Sequence, residues 1–147
     1  MSSFSRLALG LSGLLFAASV VVILVAPRAS AAKATADRVF EMRTYVTHPG
    51  RLDALNKRFR DHTTALFKKH GMENIGYWVP TDDKDGKENT LVYLLSHESR
   101  EAAKKSWAAF QADPDWVKAR DASEKDGKIV LKVTSVFLNS TDYSAIK

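Results

Sequence analysis

Residues 39–46 alternate in a way that gives a β-strand two different faces. One face carries Phe40, Met42, Thr44 and Val46, and the other carries Val39, Glu41, Arg43 and Tyr45. The first face suits a protein core, whereas the second mixes polar with apolar side chains. A small, polar linker over residues 32–38 precedes the strand, and the turn residues His48-Pro49-Gly50 follow it.

A helix is predicted next, over residues 51–70. Apolar side chains recur there at helical spacing, and Gly71 supplies a C-terminal stop. Residues 72–79 and 89–95 are rich in aromatic and β-branched side chains, which favours two further strands. The polar stretch between them predicts a turn, so these two strands are expected to form a hairpin.

The last part of the chain predicts a broken helical layer and a fourth strand. Ser99 is a cap for one helix, and Asp113-Pro114 caps and starts another that runs through Ser123. Residues 128–138 alternate as a final strand, and residues 139–147 form a polar tail. The order βαββαβ predicts an α+β, ferredoxin-like domain over residues 39–138 with an antiparallel sheet.

The sheet of such a domain has helices on one face only, so its other face needs a cover. Strand residues are expected to leave a large apolar surface there: Tyr77, Trp78, Tyr93, Val130 and Val136 or their strand neighbours. A homodimer that closes the two sheets on each other is the expected solution.

Residues 1–31 differ in composition from the rest of the chain. Residues 7–26 are almost wholly apolar, and Ala29-Ser30-Ala31 is a small-residue cleavage signal before Ala32. This pattern predicts a cleaved signal peptide and a periplasmic or extracellular protein. The alternative is an uncleaved membrane anchor over residues 7–26, which would be the protein's only contact with a membrane.

Charge and cysteine content narrow the function classes. The net charge of +5 falls to +3 on cleavage, because residues 1–31 contain two arginines and no acid. Basic residues are interspersed with acidic ones, so no nucleic-acid partner is predicted. The chain has no cysteine, which excludes disulfides, a thiol nucleophile and a lipoprotein anchor.

Several short motifs together resemble the NIPSNAP family. They are Glu41-Met42-Arg43-Thr44-Tyr45, Pro49-Gly50, Lys69-His70-Gly71, Gly76-Tyr77-Trp78 and Asp113-Pro114-Asp115-Trp116. The resemblance implies a dimeric α/β barrel of the same broad superfamily as antibiotic-biosynthesis monooxygenases and haem-degrading proteins. Those relatives bind ligands between sheet and helices, whereas most NIPSNAP proteins have no settled biochemical activity.

The best candidate site is the row Glu41, Arg43 and Tyr45. It presents a carboxylate, a fixed cation and a phenol on one face of the first strand, and such a row suits a polar ligand. The alternative is an inward ion pair between Glu41 and Arg43, with Tyr45 packed at the dimer contact.

Two further groups of side chains are weaker candidates. His62 lies at the edge of the first helix's apolar stripe, either facing the space between helix and sheet or serving as a structural histidine. Trp78 and Tyr93, with two helical tryptophans, form either an aromatic pocket for a small apolar or aromatic ligand or part of the core. The histidines lack metal-ligand spacing, so no metal and no cofactor is predicted.

Three functions are compatible with this sequence. The leading hypothesis is an exported, dimeric domain that binds a small molecule or acts as an accessory protein. The second is a cofactor-independent monooxygenase, in which Arg43 orients an anionic substrate and His62 or Tyr45 handles a proton. The third is a structural or protein-interaction domain whose open sheet face is consumed by dimerisation.

Overall fold

The computed structural model describes residues 38–147. The predicted signal peptide or anchor, its cleavage site and all but the last residue of the linker lie outside the described residues. Between residues 38 and 147, no helix is both long enough and apolar enough to cross a bilayer.

The predicted elements all form, with small shifts at their ends. The strands are β1 (Val39–Thr47), β2 (Glu73–Trp78), β3 (Thr90–His97) and β4 (Val130–Leu138). Helix α1 has three stretches, namely α-helical Leu52–Arg58, a π-helical turn Phe59–Thr63 and α-helical Thr64–Lys69. A 3₁₀ turn, Asp83–Asp85, interrupts the β2–β3 connection, and the later helices are α2 (Arg100–Ala112) and α3 (Pro114–Ser123).

Local chemistry explains where the helices begin and end. The hydroxyl of Ser99 accepts a hydrogen bond from the amide of Ala102 at 3.1 Å, which caps α2 as the sequence predicted. Asp113 caps α3 by accepting from the amide of Asp115 at 2.8 Å. Helix α1 ends at Lys69, two residues before Gly71, whose φ of +75° is the left-handed conformation that glycine adopts most easily.

The four strands form one antiparallel sheet in the order β2-β3-β1-β4. Strands β2 and β3 pair as the predicted hairpin, while β1 is central and β4 is an edge strand. This topology confirms the α+β, ferredoxin-like fold. It also places residues from β1, β3 and β4 side by side, which the site depends on.

The face of β1 that packs against the helices is the opposite of the one expected. Tyr45 packs against the main core, whereas Met42, expected to be buried, is exposed. The reason lies in the neighbouring strand, where Leu91, Tyr93 and Leu95 pair with Tyr45, Arg43 and Glu41. These neighbours make the mixed face of β1 part of an apolar surface, which the helices cover.

The face of the sheet without helices, here called the open face, is apolar but differs from the predicted one. Trp78 and Val136 lie on it, with exposed fractions of 54% and 42%. Tyr77 and Tyr93 instead pack in the core on the helical side, and Val130 packs against it. Successive side chains of a strand point to opposite faces of the sheet, so Tyr77 and Trp78 cannot both lie on the open face.

Candidate functional site

A buried carboxylate lies at the centre of the candidate site. Glu41 is 1% exposed, and both of its oxygens accept hydrogen bonds. Arg43 and the hydroxyl of Ser135 each donate to Oε1 at 2.6 Å, and the indole of Trp107 donates to Oε2 at 2.6 Å. The Nε2 atom of His97 lies 3.1 Å from Oε2. Side chains from β1, β3, α2 and β4 therefore converge on one acid.

This environment keeps Glu41 ionised. Burial alone would raise its pKa, but the hydrogen bonds from His97, Ser135 and Trp107, together with the charge of Arg43, lower the pKa to about 2. An ionised carboxylate can only accept hydrogen bonds, so His97 carries a proton on Nε2. Nδ1 of His97 is buried and has no hydrogen-bond partner among the described residues.

Arg43 is held on two sides. Its guanidinium group pairs with Glu41 and lies over the ring of Trp107, 4.1 Å from the ring centre. Burial alone would lower its pKa, but the neighbouring Tyr45, Tyr93 and Glu41 raise it, so the group stays a cation. The Arg43 side chain is still 16% exposed, and it is therefore the charged group of this cluster that solvent reaches.

The ion pair between Glu41 and Arg43 is the arrangement that the sequence offered as the alternative to ligand binding. Tyr45 packs against Phe59 and Tyr93 of the same chain, with ring centres 5.9 and 5.3 Å away. Tyr93 is fully buried, and burial raises its pKa. Both phenols thus belong to an aromatic core beside the ion pair. The dimer contact expected for Tyr45 stays a prediction.

His62 does not face the space between helix and sheet, contrary to the expectation. It is exposed and lines a groove of about 420 Å³ on the outer side of the molecule, between α1 and α3. The cause is the π-helical turn, which adds one residue and rotates the rest of α1 by roughly 100° relative to a regular α-helix. Thr63 is therefore buried at the position expected for His62.

Trp78 is also separated from the other candidates, because it lies on the open face. Its ring extends across Gly76, where an added Cβ would come within 2.5 Å of the indole. Tyr93 lies on the helical side, so the two side chains cannot line one pocket within a protomer. The structure thus brings together Glu41, Arg43, Tyr45 and Tyr93, and it places His62 and Trp78 elsewhere.

Three residues of the cluster were missed by sequence reasoning as partners of Glu41. Trp107 was considered only for an aromatic pocket or the core, His97 was considered only as a metal ligand, and Ser135 was not considered. The register of β4 carries the missing signal, since Ser135 pairs directly with Arg43. An acid on a strand that faces a helical layer needs several donors, and the neighbouring strand positions supply them.

The cluster lies beside an uncovered strand. The helices pack over β2 and β3, whereas the side chains of β4 are mostly exposed on both faces. Arg43 and Ser135 consequently lie at the margin of the helical layer rather than beneath it. Within residues 38–147, no group of three or more histidines and acids is placed to hold a metal ion.

Comparison with known proteins agrees with this fold. A NIPSNAP-like protein from Burkholderia xenovorans has a TM-score of 0.63 at 20% identity, covering 73% of this chain and 88% of its own. A NIPSNAP family protein from Agrobacterium tumefaciens has a TM-score of 0.64 at 22% identity, covering 76% and 95%. SnoaB, a cofactor-independent oxygenase from Streptomyces nogalater, has a TM-score of 0.50 at 13% identity, covering 76% and 99%.

These structural likenesses show the fold alone, and no curated protein matches the chain. The family model for NIPSNAP matches residues 40–145, which is most of the chain and includes the whole Glu41 cluster. The protein therefore belongs to the NIPSNAP family.

Proposed function

We propose that this protein is an exported, homodimeric NIPSNAP domain that binds a small anionic or carbonyl-bearing molecule next to Arg43. The observation that carries the proposal is a cation held between a buried carboxylate and an indole ring, with 16% of its side chain still exposed. A fixed guanidinium group recognises planar oxygen acceptors well, because little side-chain entropy is lost on binding.

The ligand's flat part has a surface to lie on. Trp107 is partly buried beside Arg43, and the neighbouring side chains of β4 are exposed. An aromatic or conjugated carboxylate would place its oxygens on the outer edge of Arg43 and its ring against this apolar surface. The expected ligand class is therefore a planar carboxylate or carbonyl compound.

Dimerisation is part of the proposal, and the open face supports it. Met42, Trp78 and Val136 expose apolar surface on that face, and β4 is an edge strand with unpaired backbone groups. A second copy packed over the open face would cover this surface. Export rests on the apolar character of residues 7–26 and the small residues before Ala32.

The Glu41 cluster favours recognition over proton transfer. A carboxylate whose pKa is about 2 is a weak base at neutral pH. His62, proposed as a proton-handling residue under the monooxygenase hypothesis, lies in the outer groove, and none of the residues that line this groove belongs to the Glu41 cluster. Binding is accordingly the function that this geometry supports best.

The first experiment is native mass spectrometry of the protein isolated from its own host, because one spectrum reports processing, subunit number and any retained molecule. Binding of 2-naphthoate is then measured by titration calorimetry for wild type, Arg43→Lys and Arg120→Gln. Lysine keeps a cation beside Glu41 but loses the planar edge, while Arg120 is an exposed arginine paired only with its neighbour.

The expected result is a processed dimer in which Arg43→Lys weakens naphthoate binding about tenfold or more, while Arg120→Gln leaves it unchanged. Equal affinity in all three proteins would overturn the proposed site. A dimer that carries no ligand and does not bind naphthoate would instead support the structural or interaction role.

A further inference from the structure

The last nine residues, 139–147, curl back over one end of the open face instead of extending away from the domain. The amide of Ser144 donates to the carbonyl of Thr141 at 3.1 Å, and the Ser144 hydroxyl donates to the carbonyl of Ile146 at 2.8 Å. Lys147 also donates to the carbonyl of Thr141. These bonds close the tail into a compact unit, here called the C-terminal hook.

The hook changes the exposure of the open face locally. Phe40 and Met42 lie on the same face of β1, but Phe40 is 5% exposed and Met42 is 38% exposed. Val136, opposite Met42 on β4, is exposed as well. The difference is that the hook lies beside Phe40, at the start of the strand, and leaves the middle of the face uncovered.

The hook does not pack tightly onto the sheet, because a cavity of about 260 Å³ separates the two. The sheet side is apolar, and the hook side contributes neutral polar groups and one isoleucine. The lining residues are Phe40, Leu94, Leu138, Asn139, Ser140, Thr141, Ser144 and Ile146. No ionisable side chain is among them.

We propose that this cavity binds a small uncharged molecule with an apolar ring body and a neutral hydroxyl or carbonyl group. A cavity of roughly 150 Å³ lined by apolar side chains holds benzene, so this one is large enough for roughly two fused rings. The hydroxyl and amide groups of the hook give the neutral polar group hydrogen-bond partners. An ionised ligand is disfavoured, because the lining offers no opposite charge to offset its lost hydration.

This cavity is distinct from the binding site proposed next to Arg43. It lies on the other face of the sheet, and none of its lining residues belongs to the Glu41 cluster. The two sites also differ in ligand charge, since one is built on an exposed cation and the other on neutral groups. A neutral probe and its charged analogue can therefore separate them.

The test uses 2-naphthol and 2-naphthoate with the protein isolated from its host. Titration calorimetry gives the affinities, and methyl NMR signals of Leu94, Leu138 and Ile146 report where each probe binds. Ile146→Ala removes apolar lining, and Tyr143→Ala is its matched control. Tyr143 belongs to the same hook, is 86% exposed and does not line the cavity. A chain ending at Leu138 removes the hook entirely.

The expected outcome is that 2-naphthol shifts the three methyl signals, with binding about five- to tenfold weaker in Ile146→Ala and unchanged in Tyr143→Ala. The chain without the hook should lose binding, and Arg43→Lys should leave it intact. Unchanged 2-naphthol affinity in Ile146→Ala and in the shortened chain would overturn the proposal, as would shifts confined to the helical side. Naphthoate binding that depends on Arg43 would survive that result, so the two proposals can fail separately.

Discussion

Replacing Glu41 with glutamine tests whether the buried carboxylate holds the strands and α2 together. The four groups that approach Glu41 within 3.1 Å all donate hydrogen bonds. A glutamine amide would place an NH₂ group against either Arg43 or Trp107, neither of which can accept. Two donors would then face each other in a buried site, and Arg43 would lose its counter-ion.

The magnitude follows from the pKa of Glu41. A drop from 4.5 in the unfolded chain to about 2 in the folded protein corresponds to a stabilisation on the order of 3 kcal/mol at neutral pH. Removing one partner of a buried ion pair costs about 3–5 kcal/mol in other proteins, which is similar. We therefore expect Glu41→Gln to lower the free energy of unfolding by about 3 kcal/mol at pH 7.

The pH dependence gives the sharper result. The folded protein binds fewer protons at Glu41 than the unfolded chain does, so this stabilisation is present above pH 4.5 and is lost as the pH falls towards about 2. The difference between wild type and Glu41→Gln should shrink across this interval. Urea unfolding monitored by circular dichroism at several pH values measures it.

The matched control is Glu73→Gln. Glu73 pairs with Arg38 at 2.8 Å, but both side chains are substantially exposed, and such surface pairs contribute about 0–1 kcal/mol. Two outcomes would refute the inference that Glu41 is buried, ionised and stabilising: Glu41→Gln no more destabilising than Glu73→Gln, or an effect of Glu41→Gln that is the same at pH 7 and pH 3.

Three further substitutions test local features. Gly71→Ala should lower the free energy of unfolding by about 1–2 kcal/mol in urea, because Gly71 has a positive φ. Lys68→Ala, at an exposed position in the last turn of α1, should lower it by less than about 0.5 kcal/mol. Equal effects would contradict the argument from the glycine's conformation. Asp113→Asn keeps the helix cap but loses the ion pair with Lys69 and weakens the hydrogen bond with His70, the two contacts that lower the aspartate's pKa most. The free energy of unfolding of this variant should fall less than that of wild type as the pH is lowered. An equal fall in both proteins would count against these contacts as a source of stability. Ser135→Ala should lower the free energy of unfolding by about 1 kcal/mol, because it removes the hydrogen bond to Glu41. Thr134→Ala, next to it on the opposite face of the sheet, should lower it clearly less. The reverse order would exclude the serine–carboxylate bond as a stabilising contact.

The sequence predicted the order of elements well because the decisive signals are local. Alternation in β1 and β4, the cap at Ser99 and the stop at Gly71 each depend on a few neighbouring residues. The π-helical turn in α1 has no comparable signal, and it moved His62 to the outer surface. One inserted residue is enough to change which side chains a helix buries.

The Glu41 cluster could be predicted only in part. Glu41 and Arg43 are two positions apart on one strand, so their shared face is visible in the sequence. His97, by contrast, joins them because β3 continues two residues beyond its predicted end at Leu95. Ser135 is 94 positions from Glu41, and only the register of β4 brings them together. Strand ends and long-range register are the features that a local pattern specifies least.

The two faces of β1 differ in the chemistry of their side chains. On the helical face, Glu41 and the ring of Trp107 hold the guanidinium group of Arg43, whose side chain is 16% exposed. A proton on Glu41 would release this arrangement, but its low pKa prevents protonation at neutral pH. Glu41 is thus suited to hold Arg43 in place rather than to act as a base at neutral pH. On the open face, by contrast, Phe40 and Met42 offer only apolar contact. Selectivity for any molecule that binds this face would therefore have to come from shape and from what the C-terminal hook covers.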